Sequence, residues 1–173
     1  PGVRIDFAFD DMTVRYNDTL MPAEDCAGTG YFENNLILIE GDRARIGDVQ
    51  GRNIQVKVTD VTVPGGGYAA IDLNASGPVK TALQYVSDEP IGFGGNLGFD
   101  VNKVRGNADL KVSIGLPTIK DLPKEKVKVT VSADLTDLYI PNVVKGLALT
   151  DGPLALDVQD GKFVIDGKGK LSG

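Results

Sequence analysis

Strict alternation of apolar and polar residues dominates the chain. Between Gly106 and Leu135, the residues Leu110, Val112, Ile114 and Leu116 fall on one face of an extended backbone, and Asp109, Lys111 and Ser113 fall on the other, because strand side chains alternate with period two. Val127, Val129, Val131, Ala133 and Leu135 repeat the pattern against Lys126, Lys128, Thr130, Ser132 and Asp134. A helical step of about 100° per residue would scatter either set around a cylinder, so the period predicts two strands. Pro117 and Pro123 bound the connector between them, which predicts an antiparallel pair whose apolar face must be covered by something.

The rest of the chain uses the same grammar. Val3, Ile5, Phe7 and Phe9 alternate with Arg4, Asp6 and Ala8, and a second run from Asp11 to Tyr16 follows an acidic break, which predicts a hairpin. From Asn17 to Gly30 the alternation is lost among Asp, Pro, Ala and Gly, which predicts a loop with a short strand starting at Thr29. Leu36 to Ile39 is a short apolar run, of strand length. Arg43 to Asp48 alternates again, and Ile54, Val56 and Val58 form one face of a further strand. At Asp60 the register slips so that Val61 and Val63 occupy the polar face, which predicts a β-bulge. Gly65 to Gly67 is a turn, after which Ala69, Ile71, Leu73 and Ala75 resume alternation. One segment changes period: Val79, Ala82, Leu83 and Val86 follow Pro78 at helical spacing and predict a single short helix near 78–87. Ile91 to Asp100 is glycine-rich and predicts a bend, and strands near Leu154–Val158 and Phe163–Leu171 flank an Asp160-Gly161 hairpin signal.

Phrases recur. Asp11-Met-Thr-Val, Asp60-Val-Thr-Val and Asp137-Leu-Tyr-Ile share an Asp before alternating apolar residues. Leu73-Asn-Ala-Ser-Gly-Pro78 resembles Leu149-Thr-Asp-Gly-Pro153, and Ile39-Glu-Gly41 resembles Ile165-Asp-Gly167. Their uneven spacing excludes a regular solenoid and predicts an elongated sheet built from similar strands.

Composition narrows the function classes. Of the 173 residues 42% are apolar but only 6% aromatic, with no Trp, so Val, Ile, Leu and Ala supply long, smooth apolar faces. A net charge of −6 with no basic stripe argues against nucleic acid as a partner, because that binding needs clustered Lys and Arg. The chain has no His, which removes the commonest general base and the Ser-His and Cys-His pairs. No enzyme activity and no cofactor is expected. Cys26 has no second cysteine to bond and no evident activating partner. The glycines of Gly92 to Gly98 are misplaced for a dinucleotide loop. The acidic pairs Asp10/Asp11, Asp134/Asp137 and Asp157/Asp160 lack the oxygen-ligand spacing of a calcium loop and read as solvated faces. No apolar stretch is long enough to span a bilayer, and the Pro1-Gly2 start without Met reads as an excised piece. Alternation of this kind serves a closed sandwich or barrel core, as in a binding or adhesion module, as well as it serves an open groove.

The order of phrases adds to this. Asp11-Met-Thr-Val-Arg-Tyr16, Pro22, Gly28-Thr-Gly30, Asn35-Leu-Ile-Leu-Ile-Glu-Gly41, Val61-Thr-Val-Pro64, Gly77-Pro78 with Thr81-Ala-Leu83, and Asp88-Glu-Pro90 together resemble the AsmA-like proteins of Gram-negative bacteria, most closely the YhdP-type branch. Gly106-Asn-Ala-Asp-Leu110, Leu116-Pro117, Gly146 to Leu156 and Ile165 to Leu171 extend the likeness over nearly the whole chain. The resemblance implies an all-β fold: an elongated, twisted antiparallel sheet curled like a taco into an open apolar groove. Residues 1–173 would form a single β-groove segment of a longer, repeat-built periplasmic protein anchored in the inner membrane outside this segment. That protein would conduct phospholipids toward the outer membrane. The groove lining for acyl chains would be Ile54, Val56, Val58, Leu110, Val112, Ile114, Val127, Val129, Val131, Leu156, Val158, Phe163 and Ile165. No metal site and no catalytic residue is implied.

Overall fold

The computed structural model describes residues 2–15, 20–87, 98–159 and 162–173. Its strands are β1 (Arg4–Val14), β2 (Ala23–Glu33), β3 (Leu36–Ile46), β4 (Val49–Thr59), β5 (Tyr68–Pro78), β6 (Arg105–Pro117), β7 (Lys128–Val144), β8 (Leu147–Thr150), β9 (Leu154–Gln159), β10 (Lys162–Gly167) and β11 (Lys170–Ser172). Among the described residues one α-helix, α1 (Val79–Ser87), interrupts them after β5, in line with its 3.6-residue period. All eleven strands belong to one antiparallel sheet. From β1 to β7 each strand pairs with the next in sequence, and the long β7 then forks. Its Thr130–Leu135 half pairs with β9, which continues to β10. Its C-terminal half pairs with β8, which continues to β11. The sheet does not close into a barrel: β1 forms one edge, and β10 and β11 end the two branches of the other. The extensive contacts between elements run between sheet neighbours, with α1 the one element packed across β5 and β6 among the described residues.

The recurring Asp phrase has a conformational meaning. Asp11, Asp60 and Asp137 all hold the left-handed backbone region, at φ of 51°, 54° and 51°, which Asp and Asn tolerate better than other non-glycine residues. At Asp11 and Asp137 this inserts one extra residue into a strand that then continues. Asp25 and Asn53, at φ of 51° and 50°, do the same in β2 and β4. A bulge flips the parity of the strand beyond it. Phe7 and Phe9 before Asp11 therefore share a face with Met12 after it, and Leu135 before Asp137 shares a face with Leu138 and Ile140.

Three sequence expectations change. The run from Val3 to Val14 is one bulged strand and not a hairpin. The loop expected over 17–30 gives way to β2 from Ala23 onward. Val61 and Val63 do not continue a bulged β4: Asp60 starts a turn, and Asn35 holds that turn by accepting from the Val61 and Thr62 backbone N–H groups at 3.3 Å and 3.0 Å. The antiparallel pair β6–β7 forms as expected, and its register sets Val112 opposite Val131 and Ile114 opposite Val129. The Asp160-Gly161 turn, Asn17 and most of the bend at 91–100 lie outside the described residues.

The buried core is small and sits at one end of one face. Leu138, at 1% exposure, packs with Val79 of α1, Val104, Ala108, Ala133, Leu135, Ile140 and Leu154, and Leu83 of the helix closes over them. Because α1 spans only nine residues, too few to stand alone in water, packing on the sheet is what holds it. It reaches the β3–β4 turn, where a Cβ on Gly47 would come 3.1 Å from the Thr81 methyl.

Candidate functional site

One apolar face runs from edge to edge of this sheet. Following cross-strand partners, Phe7 lies beside Gly30, Ile39, Val56, Ile71, Ile114 and Val129 in turn. A parallel row runs from Ile5 through Phe32, Ile37, Val58 and Ala69 to Leu116. Toward the fork, Leu73, Val112, Val131 and Val158 form a third row, and Ala75, Leu110, Ala133, Leu156 and Ile165 a fourth. The opposite face carries the charges, with Arg43 bridging Asp10 and Asp25, Arg45 on Glu24, and Arg4 on Asp6 and Glu33. The Arg4 guanidinium, by hydrogen bonding, holds Asp6 below the usual carboxylate range. This contribution is present above the ordinary Asp pKa and is lost as pH falls through the lowered one.

Twelve of the thirteen expected lining residues fall on this face or in line with it, the side chain of Phe163 lying outside the described residues. Ile54, Val56, Val58, Leu110, Val112, Ile114, Val131 and Leu156 are half-buried; Leu110 and Leu156 pack against the core cluster at the α1 end, and among the described residues no second layer lies over the others. Val127 is half-buried just before β7. Ile165 is 49% exposed at the edge, and Phe163 takes its place opposite Val158 in the β9–β10 ladder. Val129 and Val158 differ, being only 6% and 7% exposed. Val129 therefore cannot distinguish an open face from a closed core, whereas half-buried Val112 and Val131 can.

The alternation also contained members of the face that the expected lining omitted, among them Ile71, Leu73, Ile37, Ile39 and Phe7. Gly28, Gly30 and Cys26 gave no signal, because small residues break the visible pattern without breaking the strand. Their role is to receive larger neighbours. The Phe7 ring lies over Gly30, so that a Cβ there would sit 2.6 Å from Phe7 Cζ and 2.7 Å from the Leu38 carbonyl oxygen, an aromatic covering a cross-strand glycine. Gly41 and Gly167, the glycines of the shared Ile-acidic-Gly phrase, likewise lie opposite Ile54 and Leu154. Gly30→Val should displace both the ring and the β3 backbone and lower stability by about 1–3 kcal/mol, read as a fall in the urea unfolding midpoint.

Cys26 lies on the same face, 6% exposed. Burial raises its thiol pKa first and the Asp25 charge second, with a Val14 backbone hydrogen bond opposing. Both the access and the thiolate fraction that reagents need are low. A maleimide should label the native protein at neutral pH at least tenfold more slowly than the urea-unfolded chain.

Two open concavities, of about 400 and 590 Å³, lie on the polar side; Asn74, Lys111 and Asp134 line the first, and Asp6, Tyr31 and Glu40 the second. Among the described residues no group of three or more His, Cys, Asp or Glu is arranged to hold a metal ion, and no helix is long and apolar enough to cross a membrane. No family model, no curated protein and no solved structure matches the chain.

Proposed function

We propose that the apolar face carries phospholipid acyl chains, and that the chain is a segment of a periplasmic bridge along which lipids pass between inner and outer membranes. The supporting observation is the set of apolar rows, from Ile5 and Phe7 on β1 to Ile165 on β10, that among the described residues no second layer covers outside the end where α1 packs. Nine strands lie along this path, and at about 4.8 Å between neighbours the face is about 38 Å across. One leaflet of bilayer hydrocarbon is about 15 Å thick. A whole acyl chain can therefore lie along the rows with room to move.

Moving an acyl chain into water costs about 0.8 kcal/mol per methylene, more than ~10 kcal/mol for a long chain. Apolar side chains on successive strands, Val, Ile and Leu on most of them and Phe32 on β2, offset that cost along the path, so sliding changes the free energy little. The absence of Trp and of charge on the rows keeps the path smooth. The headgroup would stay in water beside the face. Curling of the sheet into a taco-like trough belongs to the proposal, as do the AsmA-like kinship and the anchor elsewhere in the parent protein; the support comes from the uncovered apolar area and not from a cavity.

Photo-crosslinking tests the reading. A benzophenone residue at Val112 should capture phospholipid when the protein is irradiated in cells, and one at Lys111, on the opposite side of the same strand, should not. Equal labelling at both sites, or none at Val112, would refute it.

A further inference from the structure

We propose that the connector between β6 and β7 is the phosphate-binding rim of the apolar face. Lys120 and Lys126 hold the phosphate diester of a phospholipid whose acyl chains lie on the rows, so that headgroups gather at the end of the strands opposite α1. The inference rests on the lipid-carrying reading and adds to it an orientation and a headgroup contact.

A charged headgroup held over aliphatic rows would lose its water without compensation, so it has to leave them over one of the two strand ends. The two ends differ. At one, α1 packs across β5 and β6 and seals a core in which Ala108, Leu135 and Leu138 are at most 3% exposed. At the other, the β6–β7 connector lies beside the β4–β5 turn, and among the described residues no helix packs across the face there. From Leu110, against the core, to Leu116 at the open end, β6 spans about 20 Å. One leaflet of hydrocarbon is about 15 Å thick. Acyl chains therefore fit on the uncovered rows with their ester groups near Leu116 and without reaching beneath α1.

The open end is also where unengaged cations collect. Four lysines and two acids, Asp121 and Glu125, stand between Leu116 and Val129. Lys120, Lys126 and Lys128 are exposed, and among the described residues no ion pair engages them. Ile119 and Leu122, half-buried, alternate with them along the connector. Lysine stems follow apolar surface while their ammonium groups stay in water, which is the arrangement a phosphate beside acyl chains requires. The connector is also fixed in place: the Thr118 backbone N–H donates to the Gly67 carbonyl at 2.8 Å, and that of Lys126 to the Pro123 carbonyl at 3.0 Å. At the α1 end, Lys103 is already engaged by Asp100 at 3.7 Å and Arg45 by Glu24 at 2.7 Å.

Loading from vesicles separates the phosphate from the acyl chains. Delipidated protein is incubated with vesicles carrying phosphatidylethanolamine, phosphatidylglycerol or diacylglycerol with the same chains, and bound lipid is counted by mass spectrometry. Lys120→Glu combined with Lys126→Glu should lower the loading of both phospholipids about fivefold and leave that of diacylglycerol unchanged. Lys111→Glu combined with Lys168→Glu, the same charge change away from the connector, should leave all three unchanged. Circular dichroism confirms that both variants are folded. A loss confined to phosphatidylglycerol would show that net charge is felt and not the phosphate. Equal losses for diacylglycerol, no loss at all, or the same loss in the Lys111 and Lys168 variant would place the headgroup elsewhere. Each of these results overturns the inference while the apolar face still carries lipid, whereas an unmodified protein that takes up none of the three lipids would overturn both readings.

Discussion

Leu138→Ala is expected to lower the unfolding free energy by about 2–5 kcal/mol, the usual cost of emptying a tightly packed leucine site. Leu138 is 1% exposed and sits where β7, α1 and the Val104 turn meet. Stability of ordinary domains lies at about 5–15 kcal/mol, so this single truncation could remove a third of it. The same change at half-buried Leu73, on the open part of the same face, should cost about 1 kcal/mol, because its neighbours already share the site with water. Urea unfolding of both variants measures the contrast. Equal losses would mean that the core extends over the whole face and that the face is not open.

Val131→Asp is the second. Val131 is half-buried at the centre of the third row, between Val112 and Val158. In the protein alone its carboxylate can reach water, and the sheet should fold. An acyl chain lying on the row would strip that water away, and an unpaired buried charge costs several kcal/mol. Bound phospholipid per protein should therefore fall at least tenfold, while the unfolding midpoint shifts little. Thr130→Asp, exposed on the polar face one residue away, should leave lipid content unchanged. Quantifying phosphate in purified samples checks both variants. A Val131→Asp protein that unfolds would show the row to be a closed core, and one that keeps its lipid would show the row to be unused.

The alternating strands and the helix were legible in the sequence because each needs only a local period. Where alternation ran unbroken, as from Leu110 to Ile114 and Val129 to Leu135, even the pairing was right. What misled was parity. A bulge at a left-handed Asp shifts every later side chain by one face, and an observer counting by twos sees a strand end where the strand continues, as at Asp11. The repeated Asp phrase carried this information, but a phrase shows a conformation only once its φ is known. Small residues hid β2 for a related reason. Cys26, Gly28 and Gly30 carry little oil because Phe7 and Phe9 of the neighbouring strand supply it, and such a division of volume between strands cannot be seen within one of them. The fork of β7, with β8 and β9 on one edge, depends on pairing between distant segments and left no local trace.

The candidate face was legible in outline for the same reason as the strands. Its expected residues from Ile54 to Val158 share one side because alternation alone assigns sides, provided no bulge intervenes. Alternation does not say how deeply each is covered, which is why Val129 lies buried while Val112 and Val131 remain half-open.

The central claim is that this face holds acyl chains. Native mass spectrometry of protein purified gently from a Gram-negative host addresses it most directly. The account predicts mass additions corresponding to phospholipids, reduced at least tenfold in Val131→Asp and unchanged in Thr130→Asp. Protein that carries no phospholipid, or carries it equally in all three forms, would contradict it.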